Sequence, residues 1–239
     1  MSIRHNIAPA TVSHQMKDLK PIKGRYHIAS LIEQGEHESQ DFKHSVNDAS
    51  KIAHSLSAFA NNKGGRLLIG VKDNGNIAGV RNEEDIYVIE QAASMYCRPA
   101  QQVDFNAYNV DNGTIVIVAA IKAAARRPVF AREHDGSWKA YYRVADENIV
   151  AHPLMVQAWQ KMADDSAPAI NFGAHHRAVL AAIETITAGK CIADVSNIAR
   201  HIHLSMSTTR SIIVDLAALG LIEFDHCGQH FAIIPSKAP

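Results

Sequence analysis

The sequence predicts an α+β fold built on a mixed sheet, followed by a smaller helical unit. Three observations lead there. Strand-like and helix-like stretches alternate irregularly over roughly the first 160 residues, without the regular strand–helix repeat of a doubly wound fold. Apolar residues make up 47% of the 239-residue chain, enough for well-packed cores. A polar stretch containing proline and glycine, DDSAPAINFG at 164–173, then separates this region from three further helical patterns.

Taken in order, residues 1–23 are polar and aperiodic and include Lys17, Lys20, Pro21 and Lys23, the composition of a loosely packed arm. Over 25–34, Ile28, Leu31 and Ile32 share one helical face. The segment GEHESQDFK, 35–43, ends as a strand with Phe42 on one face and Asp41 and Lys43 on the other. Asn47 or Asp48 caps a helix striped by Ile52, Leu56, Phe59 and Ala60. Gly64 and Gly65 end it, with Asn61 and Asn62 as caps of its C-terminus. RLLIGV reads as a buried strand, and the Asn-Gly pair within KDNGNIAG, 72–79, predicts a tight hairpin with a second strand immediately after.

A helix fits 83–96, with Ile86, Ile89, Ala93 and Tyr96 inward and Pro99 as its stop. Strands are expected over 103–110, 114–121 and 139–144, and Pro153 opens a helix that runs to Met162. Helices at 175–187, 192–202 and 207–219 precede two short strands flanking Cys227 and Gly228. Three helices and then a β-hairpin is the order of a winged-helix unit, a variant of helix-turn-helix. The expected division is an arm at 1–23, a main domain at 24–163, a linker at 164–174 and a winged-helix domain at 175–239.

Composition narrows the function classes. No apolar run approaches the ~20 residues of a membrane span, and the start lacks a signal-peptide core, so the expectation is a cytoplasmic protein with no membrane partner. Cys97, Cys191 and Cys227 lie far apart without CxxC spacing, which argues against a disulfide framework or zinc cluster. The paired histidines at 175–176 and at 201 and 203, with His226 and His230, lack the cysteine or carboxylate partners of a metal site and read as structural or surface residues. Lysine and arginine balance aspartate and glutamate at 24 each, so any phosphate-binding surface has to come from local clustering.

Three blocks occur in register: GEHESQDFK at 35–43, SAFANNKGGRLLIGVKDNGNIAGV at 57–80, and RPVF with YYRVADEN at 127–130 and 141–148. Together they resemble the Schlafen/AlbA-type family over roughly residues 30–150. The resemblance implies an α+β nucleic-acid-binding domain, often fused in bacteria to a helix-turn-helix module. In some Schlafen members it also implies metal-dependent RNA cleavage by clustered carboxylates. The positions matching those acids are Glu36, Asp41 and Asp73, with Asp41 standing where the family carries Glu, a side chain shorter by one bond of ~1.5 Å. Converging carboxylates hold Mg²⁺ or Mn²⁺ against phosphate oxygens, and these three can do so only if their two strands are neighbours. The alternative is that Glu36 is a solvated turn carboxylate and Asp73 a hairpin residue.

Cations fall into two groups. Lys43, Lys63, Arg66 and Lys72 lie around the glycine turn, and Arg126, Arg127 and Arg143, with Arg132 and Lys139, supply a second set for phosphate contacts or for a solvated surface. Lys43 is also placed to pair with Asp41. The family's older label as a divergent ATPase fails a direct test, because no GxxxxGK[ST] string is present. In the winged-helix unit the third helix offers Ser207, Thr208 and Arg210, although residues 170–239 hold five basic and five acidic residues.

Two functions result. One is a nucleic-acid-binding protein, a DNA-binding transcriptional regulator acting as a homodimer, with DNA or RNA as partner and no cofactor required. The other is an endoribonuclease that uses Mg²⁺ or Mn²⁺ on Glu36, Asp41 and Asp73.

Overall fold

The computed structural model describes residues 19–80, 84–167, 169–189, 192–227 and 230–236; most of the expected arm, together with Cys191 and Gly228, lies outside them. Chain order is β1 (Ile22–Lys23), α1 (Arg25–Glu33), β2 (Gln40–Lys43), α2 (Ala49–Asn61), β3 (Gly65–Ile69) and α3 (Glu84–Met95). Next come β4 (Cys97–Arg98), β5 (Val103–Asp111), β6 (Thr114–Ile121), β7 (Phe130–Arg132), β8 (Trp138–Val144) and β9 (Glu147–Val150). The chain continues through α4 (Pro153–Ala163), α5 (Ala174–Ala188), α6 (Val195–His201), α7 (Met206–Ala218), β10 (Ile222–Cys227) and β11 (His230–Pro235). Among the described residues no helix is long and apolar enough to cross a membrane.

The first sheet runs β1-β5-β6-β3-β2 and is mixed, as expected: β1 and β2 pair in parallel with β5 and β3, and the other neighbours are antiparallel. Alternation along its strands serves two cores. Phe42, Leu68, Val116 and Val118 meet Ile28 and Leu31 of α1, whereas Leu67, Ile69, Ile117 and Ala119 meet Ile52, Leu56 and Phe59 of α2. A second sheet, β4-β7-β8-β9, closes over the opposite side of α2 with Ala131 and Tyr141.

Enclosure on both sides buries most of α2, including Ser50, Ser55, Ser57 and Asn61. Asp48 caps its start, its side chain accepting from the Ser50 and Lys51 amides. Buried polar side chains need internal partners, and these find them in the second sheet and the segment leading into it. Ser57 Oγ donates to Val129 O at 2.8 Å and accepts from Tyr141 N at 3.0 Å. Asn61 donates to Val129 O at 2.8 Å and Tyr141 O at 2.7 Å, and its Oδ1 accepts from Val129 N at 2.8 Å. Asn62 does the same with the Arg143 backbone, donating at 2.9 Å and accepting at 3.2 Å. Asn62 is the C-cap of α2 as expected, through its backbone N–H to Ala58 O and Phe59 O, whereas both asparagine side chains pair with neighbouring chain and not with their own helix.

The turn at 72–76 forms as expected, but among the described residues no second strand follows it. Val71 makes a single bridge to Ile77, after which the amides of Ala78 and Gly79 both donate to Gly70 O and Val80 N donates to Ile115 O. Gly70 permits this fold-back: its φ is +90°, and a Cβ there would lie 2.8 Å from the Gly79 carbonyl carbon. Strands β1, β4, β7 and β9 were not expected either, each being two to four residues long. Ile22 and Lys23, assigned to the arm, pair with Tyr108 and Asn109.

Helix α4 faces two ways. Leu154 and Ala158 join a cluster with Val179, Ile183, Ile213 and Leu216, whereas Met155 and Trp159 pack on Ala140 and Tyr142 beside Phe224 and Phe231. Asp215 of α7 ties the helices together, meeting Lys161 at 2.5 Å and His176 at 3.2 Å. Cys97 is a buried free thiol whose burial pushes its pKa up to about 12.

Asn61→Ala strands the backbone groups of Val129 and Tyr141 inside the protein. The expected loss is roughly 2–4 kcal/mol, at ~1–3 kcal/mol for each unsatisfied group. Denaturant unfolding measures it, and a loss below about 1 kcal/mol would contradict this role.

Candidate nucleic-acid interface

Strand β2 forms one edge of the first sheet, and its outward Phe42 N–H is taken by Glu36 Oε1 at 2.8 Å, so the preceding turn folds back over the edge. Gln40 anchors the same turn by donating to Leu31 O at 2.6 Å and Gly35 O at 2.7 Å. Asp41 points away from Phe42, toward α2. Its Oδ2 lies 2.6 Å from Lys43 Nζ and its Oδ1 3.2 Å from Arg143 Nη2.

Arg143 occupies the centre of this arrangement with its side chain 1% exposed. It donates to His37 O at 3.0 Å, Gln40 O at 3.2 Å and Asn148 Oδ1 at 3.0 Å, and it lies 5.0 Å from the centre of the Phe59 ring. Asn148 in turn donates to Ser55 Oγ at 3.0 Å.

The two carboxyl groups are pushed apart in proton affinity. Burial, followed by a hydrogen bond with Asp41, raises the pKa of Glu36. Burial would raise that of Asp41 too, but Lys43, the hydrogen bond from Glu36 and Arg143 outweigh it and hold Asp41 below the usual range. Within the pair, Glu36 is therefore the group that takes up a proton first as pH falls, and Asp41 the one that keeps its charge longer.

The remaining expected residues divide by exposure. Asp73 stands exposed in the turn beyond β3 and does not join Glu36 and Asp41. Among the described residues no group of three or more His, Cys, Asp or Glu side chains is arranged to hold a metal ion. The three-carboxylate Mg²⁺ or Mn²⁺ set is therefore not assembled: β2 places Asp41 beside Leu67 within the sheet, where two cations already claim it. Arg66 spends its guanidinium on Gln40 at 2.7 Å and Gln34 at 2.9 Å. Arg127 is half-buried, donating to Asn61 O at 3.2 Å and lying 5.4 Å from the centre of the Trp159 ring, and Arg126 pairs with Asp165. Lys63 and Lys72 face solvent.

Ser207, Thr208 and Arg210 lie exposed on the first turns of α7, whose N-cap Ser205 accepts from Thr208 N. Exposed Arg200, His201 and His203 precede them, and residues 195–214 contain no Asp or Glu. Counting charge over the whole of 170–239 hid this local excess. A shorter window across the helix–turn–helix pattern would have revealed it.

Residues 36–152 match the family model described as Schlafen, AlbA_2. The matched segment contains the carboxylate pair, Arg143 and both sheets except β1, and it ends just before α4. Solved structures give looser likenesses. The DIP2311 protein of Corynebacterium diphtheriae is 20% identical over 63% of this chain, with a TM-score of 0.39, and the chain spans 30% of that protein's length. The N-terminal domain of a RecG-related protein from Nitrosomonas europaea is 18% identical over 55% of this chain and 97% of its own, with a TM-score of 0.34. No curated protein matches the sequence.

The carboxylate pair makes an asymmetric prediction. Asp41→Asn leaves Arg143 without its buried counter-charge and is expected to cost about 3–5 kcal/mol. Glu36→Gln mimics the protonated side chain and is expected to leave stability at neutral pH unchanged or slightly raised. The pH dependence follows the same signs. Asp41, with its lowered pKa, contributes stability above its unfolded value of about 3.9 that is lost as pH falls through the lower folded value. Glu36, with its raised pKa, costs stability above about 4.3, and that cost is relieved as pH falls through its folded value. Urea unfolding of both variants between neutral and acidic pH tests this; equal destabilisation by the two at neutral pH would contradict it.

Proposed function

We propose that the chain binds nucleic acid as a DNA-binding transcriptional regulator acting as a homodimer, with α5–α7 and the β10–β11 hairpin as its winged-helix unit over 175–239. The observation that carries this reading is the exposed, acid-free surface of α6 and the start of α7. In a helix-turn-helix reader the second helix of the pair enters the major groove by its N-terminal residues. Arg210 has the donor geometry for a guanine edge, and the hydroxyls of Ser207 and Thr208, with the helix N-terminus, suit phosphate oxygens. Asp215, the next acid along α7, is turned inward to Lys161 and His176 and does not repel a polyanion.

The AlbA_2 match supports a polymer partner, because the resemblance ties that family to nucleic acid. One protomer presents few cations here, so useful affinity calls for two copies on paired half-sites. An endoribonuclease on Glu36, Asp41 and Asp73 is the less favoured reading, since Asp73 stands apart and Asp41 is ion-paired within the fold.

Fluorescence anisotropy with duplex DNA tests the proposal. Binding is expected at roughly 50 mM salt and should weaken by orders of magnitude toward roughly 200 mM, as phosphate-dominated contacts do. Arg210→Gln is expected to weaken it about tenfold without altering the melting temperature, because the side chain is exposed. Absence of binding at low salt, or an unchanged affinity in that variant, would overturn the assignment.

A further inference from the structure

Helix α4 covers only one end of the second sheet's outer face. Strand alternation places Arg98, Phe130, Arg132, Trp138, Ala140 and Tyr142 on that face. Met155 and Trp159 of α4 pack over Ala140 and Tyr142. Beyond them the cross-strand pair Arg132 and Trp138, together with Arg98, lines an open depression of about 480 Å³. That volume lies in the ~300–1,000 Å³ range of ligand sites.

Its chemistry is specific. The Arg98 guanidinium carbon lies 4.4 Å from the centre of the Trp138 ring, and among the described residues no acidic side chain lines the depression. The acids nearest in sequence have other partners. Glu133 accepts from the Tyr141 hydroxyl and lies 3.3 Å from His54, and Asp135 accepts from Ser137 N at 2.8 Å. Two arginines and an indole thus share one open site without a counter-charge, a combination that suits an anion carried next to a planar ring.

We infer that this depression binds single-stranded nucleic acid, with an unpaired base stacking on the Arg98–Trp138 pair and neighbouring phosphates meeting Arg98 and Arg132. The inference rests on the nucleic-acid reading and extends it to a second form of the polymer, on elements other than α6 and α7. A duplex keeps its bases stacked inside and cannot offer one to Trp138. The depression is open to solvent, so a continuous strand can pass over it, whereas a pocket for a free nucleotide would enclose most of its ligand. Stacking with backbone attraction is the sequence-tolerant mode of single-strand recognition.

The chain holds two tryptophans, and Trp159 is buried, so a change in intrinsic fluorescence on contact with a ligand reports on Trp138. Titrating the full chain with a short oligothymidylate is expected to quench that emission. Trp138→Phe should abolish the quench while anisotropy still registers binding, because phenylalanine also stacks. Arg98→Gln with Arg132→Gln should weaken oligonucleotide binding at least about fivefold and leave duplex affinity and melting temperature unchanged. A change in melting temperature with unaltered oligonucleotide affinity would make the cluster structural only and overturn the inference. So would a quench that persists in Trp138→Phe, or thymidine monophosphate competing as well as the oligonucleotide. Duplex binding without single-strand binding defeats this inference alone; if neither polymer binds, the nucleic-acid reading fails with it.

Discussion

A single buried cation organises the segment 36–152. The Arg143 guanidinium is sealed from water, and such a charge is tolerable only when it is paired and fully hydrogen-bonded. Its partners are the turn after α1 through His37, the edge strand through Gln40 and Asp41, and Asn148 on β9, while its own backbone is held by Asn62 at the end of α2. One side chain therefore fixes the spacing between the first sheet, α2 and the second sheet. Asp41 is committed to this balance. With Lys43 also upon it, the carboxylate's charge is balanced within the fold, and so the acidic positions read as framework and the proposed contact sites fall on the cationic surfaces elsewhere.

Much of this was legible in the sequence, for identifiable reasons. Helices α1, α2 and α4 and strands β3, β5 and β6 carry long or strongly patterned apolar faces and emerged close to their expected bounds. Adjacency of the GEHESQDFK strand with RLLIGV also held, since β2 and β3 pair directly. Strands of two to four residues are too short to display alternation, and β4, β7 and β9 exist because α2 needs a second cover. The expected turn formed, but the strand expected after it did not, because the chain folds back on the Gly70 carbonyl and does not extend.

Side-chain fate was harder to read. Arg143 and Asp41 are 102 residues apart, and nothing local marks Arg143 as buried while Arg132 stays exposed. The two arginines emerge on opposite faces of the second sheet, one toward α2 and the other toward solvent. That distinction depends on strand register, which YYRV and FAR do not reveal. Asp73 was grouped with Glu36 and Asp41 by its match to the acidic positions of the family it resembles, but the turn carries it beyond the end of the strand pair. The same register brings Trp138 opposite Arg132, a pairing that neither composition nor charge counting could locate.

A protein with no net charge can still hold polyanions if its acids are spent internally. Glu36, Asp41, Glu133 and Asp215 all are, each turned toward interior partners. Hydrogen exchange measured with and without duplex DNA tests this division most directly. New protection should fall on the amides of residues 200–211, with β2 and its preceding turn unchanged. Protection confined to residues 36–43, with none at the start of α7, would contradict it.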